Sequence, residues 1–279
     1  MSIEERRAES LQTAQCADAS VWYCYAVTRN LPAAALDGLR GLQGALVEPV
    51  TFADLTVVAG PVPLGQFGET ALRAKLEDLA WLEEVARRHD DVVGEIARHG
   101  ATLPFRLATL YLDQHRVRTV LETGHARISA ALDRVDGRVE WGVKVYADLS
   151  KPVPAAVASA AGDDRPGRSY LRKRLTEQRS KDEAWQSAVQ AADEVDTALS
   201  ELAEERRAHR PQSAELSGEA GVNALNVAYL VPDGQGDRFL ALAGELRAAA
   251  RGCRIEVTGP WAPYSFGLPD LSAGPDAPG

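Results

Sequence analysis

The residues best suited to chemistry in this chain are its histidines and cysteines, and their spacing matches no common metal centre. No two histidines form the His-Glu-X-X-His pattern, in which imidazoles four residues apart share one zinc ion. His89 and His99 are ten residues apart, as are His115 and His125, which is about three helical turns and too far for shared ligation. The three cysteines are also widely spaced, at Cys16, Cys24 and Cys253. We therefore expect no metal ion and reduced thiols.

Two short stretches resemble ligand-binding or nucleophile motifs, but each lacks a required residue. "DGQG" at 233–236 lies between a predicted strand and a predicted helix, but Phe239 stands where the dinucleotide fingerprint requires glycine. Ser265 lies in "PYSFG", where Pro263 replaces the glycine that a nucleophile elbow has two residues before its serine. We accordingly expect no catalytic residue, no cofactor and no enzymatic activity.

Composition limits the classes of partner. The 279 residues include 40 acidic and 31 basic side chains, which gives a formal net charge of −9. Binding to nucleic acid or to an anionic membrane needs a basic face, so neither partner is expected. No apolar stretch reaches the length of about 18 residues that a membrane-spanning helix requires. The polar start "MSIEERRAESLQTAQ" is unlike a signal peptide, so we expect a cytoplasmic protein.

Hydrophobic periodicity predicts a mixture of strands and helices in both halves of the chain. Period-two patterns predict strands, and apolar residues recurring every three or four positions predict helices. In the first half the strands are predicted at 21–27, 45–50, 55–60, 102–112 and 138–147, and the helices at 72–96 and 114–135. In the second half the helices are predicted at 168–207 and 236–252, and the strands at 221–232 and 253–259.

This order of elements predicts an α+β protein of two domains. Strands 45–50 and 55–60 form a hairpin in this interpretation, and the stretch 150–167, rich in proline, alanine and glycine, reads as a linker. The predicted divisions are a flexible tail at 1–18, an N-terminal α+β domain at 19–149, the linker at 150–167, a smaller C-terminal α+β domain with a long helix at 168–267, and a flexible tail at 268–279.

Several motifs, in order, resemble those of the gas vesicle GvpF/GvpL proteins. The stretch "GPWAPYSF" at 259–266 is similar to a Gly-Pro-Trp-Pro-Pro-Tyr-Ser-Phe type sequence that ends the family's last strand, although Ala262 replaces the second proline. Leu107 and Ala108 likewise replace the family's usual Phe-Gly. The other similar stretches are "YCYAV", "WLEEVARRHDDVV", "LPFRLATLY", "VEWGVKVY" and "SYLRKR".

The resemblance implies both a fold and a function. It implies two α+β domains, of which the first is a modified ferredoxin-like antiparallel sheet with helices. It also implies a structural or accessory protein of gas vesicle assembly that binds the small hydrophobic shell protein and other accessory proteins. The alternative is a small-molecule-binding or enzymatic α+β protein that uses a cleft between its domains.

Three polar residues are expected in structural positions rather than in a site. His89 lies on the apolar stripe of the helix predicted at 72–96, so we expect a buried, metal-free imidazole. Arg106 and Glu140 both lie on the less apolar faces of their predicted strands. If those two strands pair, we expect Arg106 to meet Glu140.

The aromatic-rich stretch "GPWAPYSFG" at 259–267, called the closing segment below, has two open interpretations. Proline cannot donate to a strand ladder, so we expect Gly259 and Pro260 to end the last strand. Trp261, Tyr264 and Phe266 would then fold back as a structural clasp. They could also form a lip that binds a partner, since aromatic residues are enriched at interfaces. The two roles are compatible.

Overall fold

The computed structural model describes residues 19–75, 77–147, 166–210, 221–250 and 252–267. The expected tails at 1–18 and 268–279, and nearly all of the expected linker, lie outside these residues. The strands are β1 Ser20–Arg29, β2 Glu48–Phe52, β3 Leu55–Pro63, β4 Thr102–Pro104, β5 Leu110–Tyr111, β6 Arg138–Ala147, β7 Glu205–Ala208, β8 Val222–Pro232 and β9 Cys253–Trp261. The helices are α1 Leu64–Phe67, α2 Glu69–Lys75, α3 Leu79–Ala97, α4 Gln114–Val135, α5 Pro166–Ser200 and α6 Gly236–Ala249.

The protein has an α+β fold with two antiparallel sheets, and the chain divides into two compact units. Unit 1 comprises residues 1–137 together with 262–279, and unit 2 comprises residues 138–261. The first sheet has the strand order β2-β3-β1-β4, with β5 also paired to β1. The second has the order β7-β8-β6-β9. The hairpin expected from the sequence is confirmed, because β2 and β3 pair antiparallel from Glu48↔Ala59 to Phe52↔Leu55.

In unit 1, capped helices bring apolar side chains against the central strand β1. The Asp78 carboxylate accepts a hydrogen bond from the Trp81 amide and so caps the start of α3. Asp113 caps α4 in the same way through the amide of Arg116. The core under the sheet consists mainly of Val21, Tyr23, Tyr25, Val58, Val62, Phe67, Val85, Val92, Val93 and Ile96.

In unit 2, the core lies between the sheet and helices α5 and α6. The inward residues of β6 are Trp141, Val143 and Val145, as their alternation in the sequence indicates. They pack with Val195, Leu199, Val227, Tyr229, Phe239 and Ile255, among others. The 35 residues of α5 make it about 52 Å long at 1.5 Å per residue. Its buried side chains begin only at Ala184 among those described, so the preceding stretch 174–183 presents its side chains largely to solvent.

Several element boundaries differ from the sequence predictions. The helix expected at 72–96 is two helices, α2 and α3, because Asp78 caps a new helix. The strand expected at 102–112 is interrupted between β4 and β5, where Ala108 adopts a positive φ of 62°. The long helix ends at Ser200 instead of continuing to 207, because residues 205–208 pair with β8 as strand β7.

The division of the chain also differs from the predicted domain boundaries. The predicted first domain, 19–149, contained β6, but β6 pairs with β8 and β9 in the second sheet. The apolar face of β6 is buried by side chains of unit 2, which explains why this strand belongs to the second sheet. The predicted second domain, 168–267, contained residues 262–267, which belong to unit 1. Within the described ranges, none of the helices is both long and apolar enough to cross a membrane.

Candidate functional site

The closing segment begins inside strand β9, which does not end at Gly259 and Pro260 as expected. Pairing with β6 shifts register between Glu140 and Gly142, and Trp261 then lies opposite Glu140. Such a bulge accommodates a proline because a bulged residue needs no ladder hydrogen bond. Gly259 has a φ of 127°, and a Cβ there would lie 2.8 Å from the Glu140 carbonyl oxygen and 3.0 Å from the Trp141 ring. Glycine is therefore required at this position.

The three aromatic residues of the closing segment occupy different environments. Trp261 is the last residue of β9 in unit 2, and 42% of its surface is exposed. Tyr264 is 37% exposed, whereas Phe266 is 1% exposed. The backbone carbonyl of Phe266 accepts a hydrogen bond from the Arg134 guanidinium at the end of α4. Phe266 is therefore a core residue, whereas Trp261 and Tyr264 keep aromatic surface exposed.

Tyr264 lies against helix α3 beside two neighbouring polar residues. Its hydroxyl donates to an Asp90 carboxylate oxygen at 3.3 Å, and its ring centroid is 6.1 Å from that of His89. Burial raises the pKa of Asp90, and the Tyr264 hydrogen bond acts in the opposite direction. Ala262, two residues earlier, packs against the core of unit 1. The segment after β9 is thus held by α3 and by the unit 1 core.

His89 is buried, with 2% of its surface exposed, in a cluster with two tyrosines of β1. Its Nδ1 atom is 2.9 Å from the Tyr23 hydroxyl oxygen, which also accepts a hydrogen bond from the Ala108 amide. Which atom donates in this contact depends on the imidazole tautomer, because the hydroxyl can donate its proton to Nδ1 or accept one from it. Burial lowers the pKa of His89 to about 4, and the Phe105 backbone acts in the opposite direction. His89 is therefore neutral near pH 7.

The second tyrosine, Tyr25, connects this cluster to the loop before β2. The Leu42 amide donates to its hydroxyl at 2.7 Å, and its ring centroid is 5.7 Å from that of His89. A Cβ on Gly41 would lie 2.1 Å from the same hydroxyl oxygen, so only glycine fits there. The sequence reasoning did not identify these hydroxyl contacts. The signal available was the alternation of "VWYCYAV", which places residues 23 and 25 on one face of β1.

The strand pairing assumed for Arg106 and Glu140 is not found, because β4 and β6 lie in different sheets, and the contact between the two side chains stays a prediction. Arg106 is exposed and follows β4 in the first sheet, whereas Glu140 lies in β6 of the second. The prediction of a core position for Arg106 is therefore wrong, because β4 ends at Pro104 and the chain turns before β5. Glu140 is 7% exposed at its place opposite Leu230 and Trp261.

The cysteine of β1 and the metal-ligating side chains give no indication of a reaction centre in the described part of the chain. Cys24 is fully buried, and burial raises the pKa of its thiol, so it is a poor nucleophile near neutral pH. No group of three or more metal-ligating side chains comes together among the residues that the structure describes. In the closing segment, Trp261 of unit 2 and Tyr264 of unit 1 each keep exposed aromatic surface that is suited to binding.

Comparisons with known proteins identify related sequences and folds. A family model described as "Gas vesicle synthesis protein GvpL/GvpF" matches residues 21–267. The chain is 47% identical over 249 residues to "Gas vesicle protein L" of Streptomyces sp. (strain CB03234), covering 88% of this chain and 91% of that protein. It is 27% identical over 252 residues to "Gas vesicle protein F" of the same strain, covering 88% of this chain and 98% of the relative.

Two crystal structures of gas vesicle protein GvpF share the fold. The one from Anabaena sp. PCC7120 aligns with a TM-score of 0.64 at 20% identity, over 90% of this chain and 97% of that one. The one from Microcystis aeruginosa aligns with a TM-score of 0.62 at 15% identity, over 88% of this chain and 98% of that one.

Proposed function

The chain belongs to the GvpL/GvpF family of gas vesicle synthesis proteins, and from this membership we propose that it takes part in gas vesicle assembly. In this role it binds the small hydrophobic shell protein and other accessory proteins, in the cytoplasm at the gas vesicle. The observation that carries the proposal is the extent of the family match, which runs from β1 to the end of the closing segment. The relatives are named for gas vesicles and not for a reaction, which supports a role without catalysis.

Within the closing segment, the proposal divides the aromatic residues between two tasks. A partner with an apolar surface gains most from aromatic side chains that are exposed before binding, as Trp261 and Tyr264 are. Burying one fully exposed large apolar side chain contributes about 1.5–3 kcal/mol, and since these two are partly exposed they supply a part of the affinity for a hydrophobic partner. Phe266 is already buried and would act as the structural clasp.

A co-expression experiment tests this proposal. The full-length chain is expressed with the shell protein and the other gas vesicle proteins, and three readouts are taken: thermal melting of the purified chain, shell protein retained on it, and vesicles seen by electron microscopy. The double variant Trp261→Ala/Tyr264→Ala should melt nearly normally yet lose most of the retained shell protein. A matched control, Leu240→Ala/Leu112→Ala, removes two other exposed apolar side chains and should retain it.

The outcomes separate the possible roles of the closing segment. A triple alanine variant of Trp261, Tyr264 and Phe266 should both melt at lower temperature and fail to build vesicles. If it melts normally, binds the shell protein and supports vesicles, then the segment has neither role. If the unaltered chain retains no gas vesicle protein and vesicles form without it, the assembly role itself is refuted.

A further inference from the structure

A cavity in unit 1 opens beside helix α3, and none of its lining residues belongs to the closing segment. Its volume is about 360 Å³, and it is lined by the loop before β2, by α1, by the end of α2 and by α3. The apolar part of the lining consists of Leu42, Phe67 and Val85, which are buried, and Trp81, which is partly exposed. Ligand pockets in proteins span about 300–1,000 Å³, so this one is at the small end.

The polar residues of this α3 cavity lie at its rim. Gln43 Nε2 donates to Gln66 Oε1 at 2.5 Å, and Lys75 Nζ donates to the same oxygen at 3.4 Å. Lys75 also lies 4.9 Å from the centre of the Trp81 ring, a cation–π distance. Gln43 adopts a positive φ of 53°, which is uncommon for a residue with a side chain. Such strain is concentrated at functional sites, and here it lies at the mouth of the cavity.

Two cations and one carboxylate determine the charge of the rim. Lys75 and Arg88 line it together with Glu84, so the rim is net positive on a chain whose net charge is −9. Arg88 is 3.6 Å from Asp91, but both side chains are at least half exposed, and such ion pairs contribute little. Arg88 therefore remains able to meet an incoming carboxylate.

We propose that the α3 cavity is a docking pocket for one large apolar side chain on an acidic segment of another gas vesicle protein. This inference rests on the assembly role proposed above. An apolar floor ringed by solvent-exposed polar groups is the arrangement found around the anchor residues of protein interfaces. The buried lining residues, Leu42, Phe67 and Val85, are all apolar, which suits an apolar anchor side chain. The net positive rim selects a segment with carboxylates beside its anchor.

Paired charge reversals on α3 test the pocket with matched controls. Arg87 and Arg88 are adjacent and exposed, and each has an acidic neighbour on the same helix, but only Arg88 lines the cavity. Each gas vesicle protein of the same cell is purified or co-expressed separately, and its affinity for the full-length chain is measured. Arg88→Glu should weaken binding of the docking partner about tenfold, and Arg87→Glu by less than about twofold.

A second pair of variants, at two glutamates of α3, should change the binding affinity in the opposite direction. A folding defect would weaken binding and so cannot produce this result. Glu84 lines the cavity and Glu83 does not. Glu84→Lys should tighten binding of an acidic segment about threefold or more, whereas Glu83→Lys should leave it unchanged. A photo-crosslinker at position 43 should attach to a peptide of the partner that contains a large apolar residue close to aspartate or glutamate.

The failures of the two proposals can be distinguished. If a gas vesicle protein binds but the two arginine variants behave alike, or the crosslinks fall on basic segments, the pocket is refuted and the assembly role survives. If no gas vesicle protein binds the unaltered chain, the pocket is refuted, and the assembly role is refuted with it when vesicles also form without the chain.

Discussion

The closing segment serves both compact units, but each unit uses it in a different way. The first three residues of the closing segment belong to unit 2, where they form the end of β9 and β9 pairs with β6 through backbone hydrogen bonds. The remaining residues are held in unit 1 by their side chains: Ala262 packs on the core, Tyr264 contacts α3, and Phe266 is buried. Strand pairing accepts many different side chains but few changes of backbone conformation. Core packing accepts small changes of the backbone but few changes of side-chain shape. The same nine residues are therefore constrained by conformation in one half and by side-chain shape in the other.

The buried tyrosines of the two units differ in a related way. In unit 1, Tyr23 and Tyr25 accept hydrogen bonds from backbone amides of loops, and so hold those loops to β1. In unit 2, the Tyr229 hydroxyl donates to Asp196 at 2.8 Å, and Arg206 also binds that carboxylate, so β8 is held to α5 and β7 through side chains. Burial and the Asp196 carboxylate both raise the pKa of Tyr229.

Removal of the buried Phe266 side chain should give the largest effect. Truncating a buried phenylalanine costs about 3–5 kcal/mol, because transfer energy is lost and a cavity remains. We expect Phe266→Ala to lower the free energy of unfolding by this amount, as measured by chemical denaturation. The control Leu112→Ala removes a side chain that is 67% exposed and should change little. An equal loss in the two variants would contradict the core role of Phe266.

A backbone change in the unit 2 half of the segment should come next. In Gly259→Ala the new Cβ meets the Glu140 carbonyl and the Trp141 ring at a positive φ, and we expect a loss of about 3 kcal/mol. Hydrogen exchange should show the loss in β6 and β9. Gly244→Ala in α6 is the matched control, since a Cβ there meets nothing within 4 Å. Alanine is the better helix former, so this control should be neutral or slightly stabilising. If hydrogen exchange in β9 is the same in Gly259→Ala as in the unaltered chain, then backbone conformation does not constrain this half of the closing segment.

The buried imidazole of unit 1 should make its stability depend on pH. The pKa of His89 is about 4 in the folded protein and near 6.5 when exposed, so between these values the unfolded chain binds the extra proton. Stability should thus fall as the pH falls from 6.5 to 4, by on the order of 3 kcal/mol at about 1.4 kcal/mol per pH unit. Outside that window His89 should contribute no slope.

The non-titrating variant His89→Gln isolates this effect. The difference in unfolding free energy between the two proteins should shrink as the pH falls through the window, since only the unaltered chain loses stability through His89. The raised pKa of Asp90 acts with the opposite sign, but Asp90 is present in both proteins. Denaturant titrations at several pH values measure the difference. A constant difference would show that the imidazole is not held neutral, and a transition metal lost in the variant would show a ligand role.

Removing single tyrosine hydroxyls should cost more stability in unit 1 than in unit 2. In Tyr25→Phe the buried Leu42 amide loses its partner, and we expect a cost of about 2 kcal/mol. In Tyr229→Phe the Asp196 carboxylate keeps Arg206, so the cost should be about 1 kcal/mol. Chemical denaturation of the two variants measures both values. The reverse order would mean that the ion pair of unit 2 depends on the hydroxyl more than the unit 1 loop does.

The smallest effect on stability should come from the exposed end of β9. Trp261→Ala leaves the strand pairing intact and removes a side chain that is 42% exposed, so we expect a loss under about 1 kcal/mol. Thermal melting checks this. A loss comparable to that of Phe266→Ala would mean that Trp261 is a clasp residue rather than part of a binding lip.

The sequence by itself determined the elements whose signals are local. Helix α4 was predicted at 114–135 and is found at Gln114–Val135, because a capping aspartate and a regular apolar stripe act within the helix. Strand β6 likewise alternates over the predicted residues, and His89 lies on the stripe of α3 that is buried. The family resemblance was also readable from short motifs in order, and the family match confirms it.

Only the tertiary structure decided which elements belong together and what their polar groups meet. Strand β6 belongs to the second sheet, and Phe266 belongs to unit 1. Apolar side chains pack against residues that are distant in the sequence, and hydrophobic periodicity does not show which residues those are. The end of α5 was decided by β8, which recruits residues 205–208 as a strand. Arg106 was misplaced because its strand is broken, and the Tyr23–His89 contact joins residues 66 positions apart. Such contacts depend on the packing of the whole unit, so the sequence alone could suggest the residues but not their partners.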